Sequence, residues 1–339
     1  MMREQRTYII AEAGVNHNGS LEIAKELVDA ARLCGADAVK FQTFKAEKLV
    51  TRSAAKADYQ KRDATGGDSQ FEMLKRLELK EGDFRELFAH CHRCGIEFMS
   101  SPFDEESADL LDSLGMSTFK VPSGEITNHP LLEHIARKGK PVILSTGMST
   151  LGEVEEALGI FHACGNPCVT LLHCVTEYPA PYGEINLNAM LTLREAFRAA
   201  VGYSDHTPGI EIPLAAVSLG ARVIEKHFTL DNAMEGPDHK ASLNPADFMR
   251  MVQAIRNVEQ AMGDGIKRPA PCELKNIDIA RKSVVAAETI AEGEIISIDK
   301  LTVKRPGYGV QPKDMEKLVG LRVNKTIAKD DVLKWHYLA

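Results

Sequence analysis

Eight short apolar runs recur along this chain, each closed by a polar or charged cluster, and a helix-like segment follows nearly every one. The runs close at residues 9–12, 39–42, 98–101, 119–123, 143–146, 171–174, 202–206 and 224–227. Apolar runs that alternate with amphipathic helices are typical of parallel βα units. Eight such units in succession predict an α/β fold of the (β/α)8 (TIM) barrel type, whose active site forms where the strands end. The polar clusters are therefore expected to point into one bowl.

Composition narrows the class of protein. The 339 residues suffice for one barrel and a small extra domain. A net charge of −7 does not favour DNA, RNA or an anionic membrane surface as a partner. No apolar run approaches the roughly 20 residues that a membrane helix needs. Because the amino terminus leads straight into the first strand, with no room for a signal peptide, we expect a cytoplasmic enzyme.

The cysteines do not indicate a disulfide scaffold. The chain has seven, and an odd number in a protein of this size suggests free thiols. Cys91 and Cys94 form a C-x-x-C pair, but they lie in a helix-like stretch and no second pair completes a zinc site. We interpret them as core residues, as free cysteines commonly are.

A change of pattern near the end of the chain indicates a second domain. The helix after the eighth run extends from about Pro245 to Met262 and is followed by a proline-rich stretch, after which short β-type runs occur at 283–287, 295–298 and 301–304. We predict a barrel over 1–265, a linker over 266–282 and a β-rich module over 283–339. Since so small a module has little core of its own, we expect it to pack against another protein surface. The linker would let it reach a partner subunit.

The segment 51–70 differs from the other connections of the barrel. It is polar, contains Gly66 and Gly67, and is longer than most βα connections. We predict an active-site lid there, with a solvated insertion of no catalytic role as the alternative.

His206 and His227 close the seventh and eighth runs, so their imidazoles are expected side by side at the barrel mouth. Two neutral imidazoles with open positions suit a divalent metal ion of the catalytic type. A purely structural pair of histidines is the alternative, which the placement on adjacent strands makes less favourable.

Charged residues close three other runs. Glu12 ends the first run, and burying a carboxylate is costly unless it is paired with a cation or bound to a ligand. General acid–base catalysis would explain its position, and a structural ion pair with Lys40 or Lys120 is the alternative. The two lysines stand at strand ends near several serines, which suits a phosphate or carboxylate group. A Schiff-base lysine also fits this position. Arg305, on a Pro-Gly turn of the β-rich module, is interpreted from spacing alone as a solvated tip rather than a ligand contact.

The order of motifs resembles that of the sialic acid synthase family, which includes N-acetylneuraminate synthases and relatives that make legionaminic and pseudaminic acids. The chain carries A-E-A-G-x-N-H-N-G, K-F-Q, S-x-P-F, K-x-x-S-G-E, I-L-S-T-G-M, L-L-H-C, S-D-H-T and E-x-H-F-T. A closing K-R-P-G-x-G falls in a module that resembles type III antifreeze proteins, the antifreeze-like or SAF domain. The resemblance covers essentially the whole chain.

This resemblance implies condensation of phosphoenolpyruvate with an N-acetylmannosamine-type aldehyde and release of phosphate by C–O cleavage. It implies His206 and His227 as ligands for Mn2+ or Mg2+, with Glu12 orienting the aldehyde or a metal-bound water. It also implies substrate-binding residues, namely Lys120, Ser123, Ser145 and Ser204 with Lys40 nearby for phosphoenolpyruvate, Gln42, Tyr178 and Asp238 for the sugar, and Glu125 in support. Finally it implies a domain-swapped homodimer in which Arg305 meets the sugar's acetamido group in trans.

One departure from the family pattern concerns the sugar. Several N-acetylneuraminate synthases have C-T-N-x-Y-P where this chain has C-V-T-E-Y-P, so Thr176 replaces an Asn that contacts phosphoenolpyruvate in those relatives. The form seen here resembles bacterial relatives that act on 2,4-diacetamido-6-deoxy sugars, and the product is either N-acetylneuraminate or N,N'-diacetyllegionaminate. Two other classes remain as alternatives: a Schiff-base aldolase of a 2-keto sugar acid, which would survive metal removal, and a non-catalytic sugar-binding barrel.

Overall fold

Each apolar run of the sequence forms a strand of one parallel sheet. The computed structural model describes residues 6–55 and 69–339, so most of the predicted lid (residues 56–68) lies outside the described residues. The strands are β1 (Tyr8–Gly14), β2 (Ala38–Thr43), β3 (Glu97–Pro102), β4 (Phe119–Val121), β5 (Val142–Ser145), β6 (Val169–Cys174), β7 (Ala200–Asp205) and β8 (Val223–His227). They pair in the order β3-β2-β1-β8-β7-β6-β5-β4, and β4 also lies beside β3, so the sheet closes on itself. The fold is the predicted (β/α)8 barrel.

Helices cover the outside of this sheet. They are α1 (Leu21–Leu33), α2 (Ala46–Leu49), α3 (Gln70–Leu77), α4 (Glu81–Cys94), α5 (Glu105–Ser113), α6 (His129–Ala136), α7 (Leu151–Ala163), α8 (Asn188–Phe197), α9 (Glu211–Ser218) and α10 (Pro245–Met262). In α1, the Ser20 hydroxyl accepts a hydrogen bond from the backbone N of Ile23, and an apolar stripe that includes Leu27 and Val28 is buried against the sheet. No helix in the described ranges combines the length and the apolar character that crossing a bilayer would require.

Apolar side chains fill the interior of the barrel below its mouth. This floor consists of Ile10, Ala38, Met99, Ile143, Leu172 and Val223. Gly202 lies beside it, where a Cβ would come within 2.3 Å of the Val223 carbonyl oxygen, so no larger residue fits. Because side chains alternate along a strand, the residues two positions further on point to the same interior. The polar residues that close the runs therefore form a layer directly above an apolar floor.

A second unit, Asp264–Ala339, follows the first unit, Met1–Gly263. It contains α11 (Leu274–Ala280) and the antiparallel strands β9 (Ser283–Ala286) and β10 (Leu301–Lys304), around a small apolar core of its own. The segment predicted as a linker thus includes a short helix. The β-type run at 295–298 is not a strand: it makes a single isolated bridge from Ile295 to Arg322. Only Ile296 of its three isoleucines is buried, so the run has no apolar face to hold against a sheet.

Candidate active site

The C-terminal ends of the barrel strands surround a cavity of about 230 Å³. Most of the residues that the sequence singled out line it: Glu12, Lys40, Gln42, Lys120, Ser123, Ser145, Thr176, Tyr178, Ser204, His206 and His227. They come from well-separated parts of the chain and meet because parallel strands of a barrel all end at one face.

Four buried charged side chains form an alternating chain in this cavity. The Lys40 Nζ lies 2.6 Å from Glu12 Oε2 and 3.7 Å from Glu225 Oε2, and the Lys120 Nζ lies 3.5 Å from Glu225 Oε1. The contact of Lys40 with Glu12 is the ion pair that the sequence analysis left as the structural alternative. A buried ion pair is weak support for stability, however, since desolvation of the charges offsets their attraction. Four such charges in one cleft therefore indicate a binding or catalytic role.

The members of this cluster differ in how readily they give up or accept a proton. Burial alone would raise the pKa of Glu225, but Lys120 and Lys40 outweigh it and hold that pKa at about 2. Burial lowers the pKa of Lys40, yet Glu12 and Glu225 reverse the shift and raise it. Burial lowers the pKa of Lys120 and raises that of Glu12, and in both cases the opposite charges nearby offset only part of the shift. Glu225 and Lys40 thus stay charged, whereas Glu12 and Lys120 are suited to proton exchange.

Hydroxyl groups provide a second set of polar atoms in the cavity. The Ser123 Oγ accepts a hydrogen bond from the Gly147 backbone N at 2.9 Å. The hydroxyl oxygens of Ser145 and Thr176 are buried and have no hydrogen-bond partner within the described part of the chain. A Cβ on Gly147 would lie 2.4 Å from Thr176 Oγ1 and 2.8 Å from Ser123 Oγ, so only glycine lets the backbone approach here. Because unpaired buried hydroxyls are costly, these groups are arranged for the oxygens of an anionic ligand.

The imidazoles of His206 and His227 lie side by side, with ring centroids 5.3 Å apart. The His206 Nδ1 lies 2.7 Å from the Val175 carbonyl oxygen and so carries a proton, which leaves Nε2 as the nitrogen that would bind a metal ion when the ring is neutral. Burial lowers the pKa of His206, but Cys174 and the Val175 carbonyl oxygen outweigh it and raise that pKa. The His227 Nδ1 is buried and has no hydrogen-bond partner among the described residues. Burial lowers the pKa of His227 well below its ordinary value, which favours the neutral ring.

This donor set fits a divalent cation. Neutral imidazole nitrogens are common ligands of divalent transition metals, and an outward hydrogen bond such as that from His206 to Val175 is the usual means of orienting a ligating ring. The Asp238 Oδ2 lies 3.9 Å from His227 Nδ1. Burial and the nearby Glu12 raise the pKa of Asp238 to about 7, and a cation in this place would favour its charged form. The orphaned nitrogen of His227 is the feature that most directly indicates a missing partner.

Two further predicted residues lie around this pair. The Tyr178 ring packs on His206, with centroids 4.1 Å apart, and meets His227 edge-on at 5.3 Å. The Gln42 Nε2 donates a hydrogen bond to Glu12 Oε1 at 3.1 Å. Both side chains line the cavity next to the imidazoles and Glu12, where a polar substrate would meet them.

Three predicted residues lie outside the lining of this cavity. Asp238 is buried next to His227. Glu125 is partly buried and accepts a hydrogen bond from Asn128 Nδ2 at 2.7 Å. Arg305 belongs to the C-terminal unit, where its Nε donates to the Ala280 carbonyl oxygen at 3.0 Å. The substrate roles of these three residues stay predictions.

Glu225 and Cys174 are among the cavity residues that were not predicted from the sequence. Glu225 stands two positions before His227 on β8, and Cys174 ends β6, with its Sγ 3.8 Å from His206 Nδ1. Strand alternation supplied a usable signal, because a residue two positions from an inward-facing one faces the same interior. The position of Glu225 between the two lysines depends on contacts between strands, and no pattern in the local sequence indicates it.

A second group of potential metal ligands lies away from the barrel mouth. It comprises Asp29 on α1 with His90 and Cys94 on α4, whose ligand atoms lie within 4.8 Å of one another. The His90 Nε2 and the Cys94 Sγ both contact Asp29 Oδ1, at 2.7 and 3.2 Å, and Arg93 Nη2 lies 3.4 Å from the other His90 nitrogen. An arginine can only donate, so His90 Nδ1 accepts and Nε2 carries the proton towards Asp29. Asp29, His90 and Cys94 thus satisfy one another's hydrogen-bonding groups, and we assign no metal to this group.

A closed (β/α)8 barrel whose C-terminal mouth holds carboxylates, lysines and imidazoles has the architecture of a TIM-barrel enzyme. The chain belongs to the NeuB family, which matches residues 27–267, and an SAF domain matches residues 281–339. It is 52% identical to the N,N'-diacetyllegionaminic acid synthase of Campylobacter jejuni, over 97% of this chain and 99% of that protein. The corresponding synthase of Legionella pneumophila is 48% identical over 98% and 94%.

A solved structure agrees with this assignment. The N-acetylneuraminic acid (sialic acid) synthetase of Leptospira borgpetersenii, in complex with citrate, superposes with a TM-score of 0.70 at 35% identity, over 81% of this chain and 91% of that one. Together the matches confirm the family resemblance, the antifreeze-like domain and the fold class inferred from the sequence.

Proposed function

We propose that this chain is a nonulosonate synthase that condenses phosphoenolpyruvate with an N-acetylmannosamine-type aldehyde. In the reaction a C–C bond forms between C3 of phosphoenolpyruvate and the aldehyde carbon, and the aldehyde oxygen takes up a proton. Water adds its oxygen at C2 and gives up a proton, and the bond between C2 and the bridging oxygen of the phosphate breaks to release inorganic phosphate. The observation that carries the proposal is one cavity that combines two buried lysines and orphaned hydroxyls with an adjacent pair of imidazoles. The proposal is supported by membership of the NeuB family.

Phosphoenolpyruvate is the substrate assigned to the lysine and hydroxyl side of the cavity. Its phosphate and carboxylate need cations and donors, which Lys120, Ser123, Ser145 and Thr176 offer in the lining of this cavity. Lys40 stays charged between two carboxylates and adds a fixed positive charge. Ser204 donates to Glu225 Oε1 at 2.9 Å and so orients the carboxylate that neutralises the lysines.

His206 and His227 would hold a divalent metal ion, Mn2+ or Mg2+, on the aldehyde side. Such an ion supplies Lewis acidity towards a carbonyl oxygen. Glu12, whose pKa burial raises, takes the proton that the attacking water loses at C2. Tyr178, Gln42 and Asp238 position the sugar against this group, and the Asp238 Oδ2 lies 3.9 Å from the His227 Nδ1.

Chelation separates this reaction from its main rival. Removing divalent ions should abolish phosphate release, and adding Mn2+ should restore it. A Schiff-base aldolase would instead keep its activity in chelator, and reduction with borohydride in the presence of pyruvate would then label a lysine. Lys120, whose pKa burial lowers, is the lysine that this rival reaction would use for the imine, so Lys120→Met is the matched control for labelling.

The sugar we propose is a 2,4-diacetamido-6-deoxy aldehyde, which gives N,N'-diacetyllegionaminate. The named functions of the Campylobacter and Legionella relatives support it, as does the sequence C-V-T-E-Y-P around Thr176. The test is an assay of the purified protein with phosphoenolpyruvate and a panel of hexosamine aldehydes, with phosphate release and product mass recorded. A higher kcat/KM for N-acetylmannosamine than for the diacetamido sugar would overturn the sugar assignment and leave the reaction intact. No product with any of these aldehydes would overturn the reaction itself.

We also propose that the enzyme is a homodimer in which the antifreeze-like domain of one chain donates Arg305 to the barrel of the other. The support is the family resemblance and the small size of the domain. Mixing Arg305→Ala chains with His206→Ala chains tests it, because in a heterodimer one barrel would combine an intact His206 with an intact donated Arg305. Partial return of activity is the expected result. No recovery despite proven heterodimers would mean that each site is built from one chain.

A further inference from the structure

The strand pairing differs beneath the two imidazoles, because it includes His227 but stops one residue before His206. Strands β7 and β8 pair in parallel up to Asp205 opposite Lys226, and β7 ends at Asp205. His206 therefore lies one residue beyond the paired segment. His227, by contrast, is paired with Glu12 on β1. The sheet fixes the backbone of His227, while the backbone of His206 depends on other contacts, one of which is the hydrogen bond that its carbonyl oxygen accepts from the Ala180 N at 2.9 Å.

A buried ion pair supplies such contacts at this point. The Lys226 Nζ lies 2.5 Å from Asp205 Oδ2 and also donates to the Thr207 carbonyl oxygen, and both charged side chains are completely inaccessible to solvent. The Asp205 Oδ1 accepts hydrogen bonds from the Thr207 N at 3.0 Å and Oγ1 at 2.9 Å. Lys226, which directly precedes His227, thus holds the residues on both sides of His206.

Neither charge of this pair faces the cavity. Side chains alternate along a strand, so Asp205 and Lys226 point away from the interior into which His206 and His227 point. On that outer side their strand neighbours Tyr203 and Ile224 belong to the apolar core beneath the helices. A hydrophobic pair of similar size would stabilise such a layer at least as well as an ion pair does, so stability alone does not account for the charges.

We propose that Asp205 and Lys226 are positioning residues that set the separation of the His206 and His227 rings and thereby the affinity of the site for its divalent ion. The inference rests on the proposed metal role of the two histidines. Partners behind a metal ligand typically contribute about 10-fold to 100-fold to metal affinity. In this chain Asp205 directly precedes His206 and Lys226 directly precedes His227, so each member of the ion pair adjoins one histidine.

The test compares Mn2+ binding to full-length variants, measured from the electron paramagnetic resonance signal of the free ion. The double variant Asp205→Asn, Lys226→Met leaves no unpaired buried charge and keeps an acceptor for Thr207. We expect its Mn2+ Kd to rise about 10-fold to 100-fold, while phosphoenolpyruvate binding to the metal-free protein, measured by calorimetry, stays unchanged. The matched control is Asp37→Asn, Arg256→Met, which removes another ion pair of the barrel (3.0 Å) and should leave the Mn2+ Kd as in the wild type.

The His206→Ala variant separates failure of this inference from failure of the proposed function. If His206→Ala binds Mn2+ as tightly as the wild type, the metal role of the pair is wrong. If His206→Ala loses Mn2+ but the Asp205/Lys226 double variant keeps wild-type affinity, only the positioning role is wrong. Should circular dichroism show that this double variant is unfolded, the double variant Asp205→Asn, Lys226→Gln takes its place, because it also leaves no buried charge and keeps a donor for the Thr207 carbonyl oxygen. If folded, it is expected to bind Mn2+ severalfold more weakly, and unchanged affinity would overturn the proposal.

Discussion

Replacing Glu225 with glutamine tests the charge balance of the cavity. The substitution keeps the size of the side chain and an acceptor for Ser204, but Glu12 alone then faces Lys40 and Lys120. A pKa of about 2, against 4.5 for an ordinary glutamate, corresponds to about 3 kcal/mol of stabilisation at neutral pH. We therefore expect Glu225→Gln to lower the free energy of unfolding of the barrel by about 3 kcal/mol at pH 7.

The pH dependence of this loss is as informative as its size. Because the folded-state pKa of Glu225 is depressed, its contribution is complete above the unfolded pKa near 4.5 and is lost as the pH falls towards about 2. The difference in unfolding free energy between wild type and variant should be constant from pH 7 to pH 5. Below that it should shrink by about 1.4 kcal/mol per pH unit. Urea unfolding followed by circular dichroism at pH 7, 5 and 3.5 measures this difference.

A partly buried carboxyl whose pKa shifts in the opposite direction provides the control. Burial raises the pKa of Glu125, so its charged form is disfavoured in the folded state, and Glu125→Gln should be as stable as the wild type at pH 7 or more so. If Glu225→Gln matches wild-type stability at pH 7, or if its deficit is the same at pH 3.5, then the lysines do not hold Glu225 as a carboxylate and the argument fails.

Three further predictions concern turnover. Glu12→Gln should bind phosphoenolpyruvate normally in calorimetry but lose most turnover, since glutamine cannot accept a proton; a kcat near that of the wild type would make Glu12 merely structural. Gly147→Ala should raise the KM for phosphoenolpyruvate more than that for the sugar, because its Cβ would displace Thr176 and Ser123; equal effects on both KM values would contradict the assignment of these hydroxyls. Arg305→Ala should raise the KM for the sugar far more than that for phosphoenolpyruvate, and the reverse order would remove Arg305 from the sugar site.

Much of this protein could be predicted from its sequence. The alternation of apolar runs with helical stripes predicted eight parallel strands, because a strand buried on both faces must be apolar and a helix covering it must be amphipathic. The same periodicity placed Glu12, Lys40, His206 and His227 in one cavity, since all barrel strands end at the same face. These features depend on local order along the chain, which the sequence contains.

Contacts between strands were decided only by the tertiary structure. Nothing in the local sequence indicates that Glu225 lies between two lysines, or that the pairing of β7 and β8 stops one residue before His206. Likewise, the run at 295–298 has the composition of a strand but only one side chain that reaches the core. Which charges neutralise each other, and which nitrogen stays unpaired, depends on distances across the closed sheet. Those distances follow from the register and closure of the barrel, which involve residues far apart in the chain.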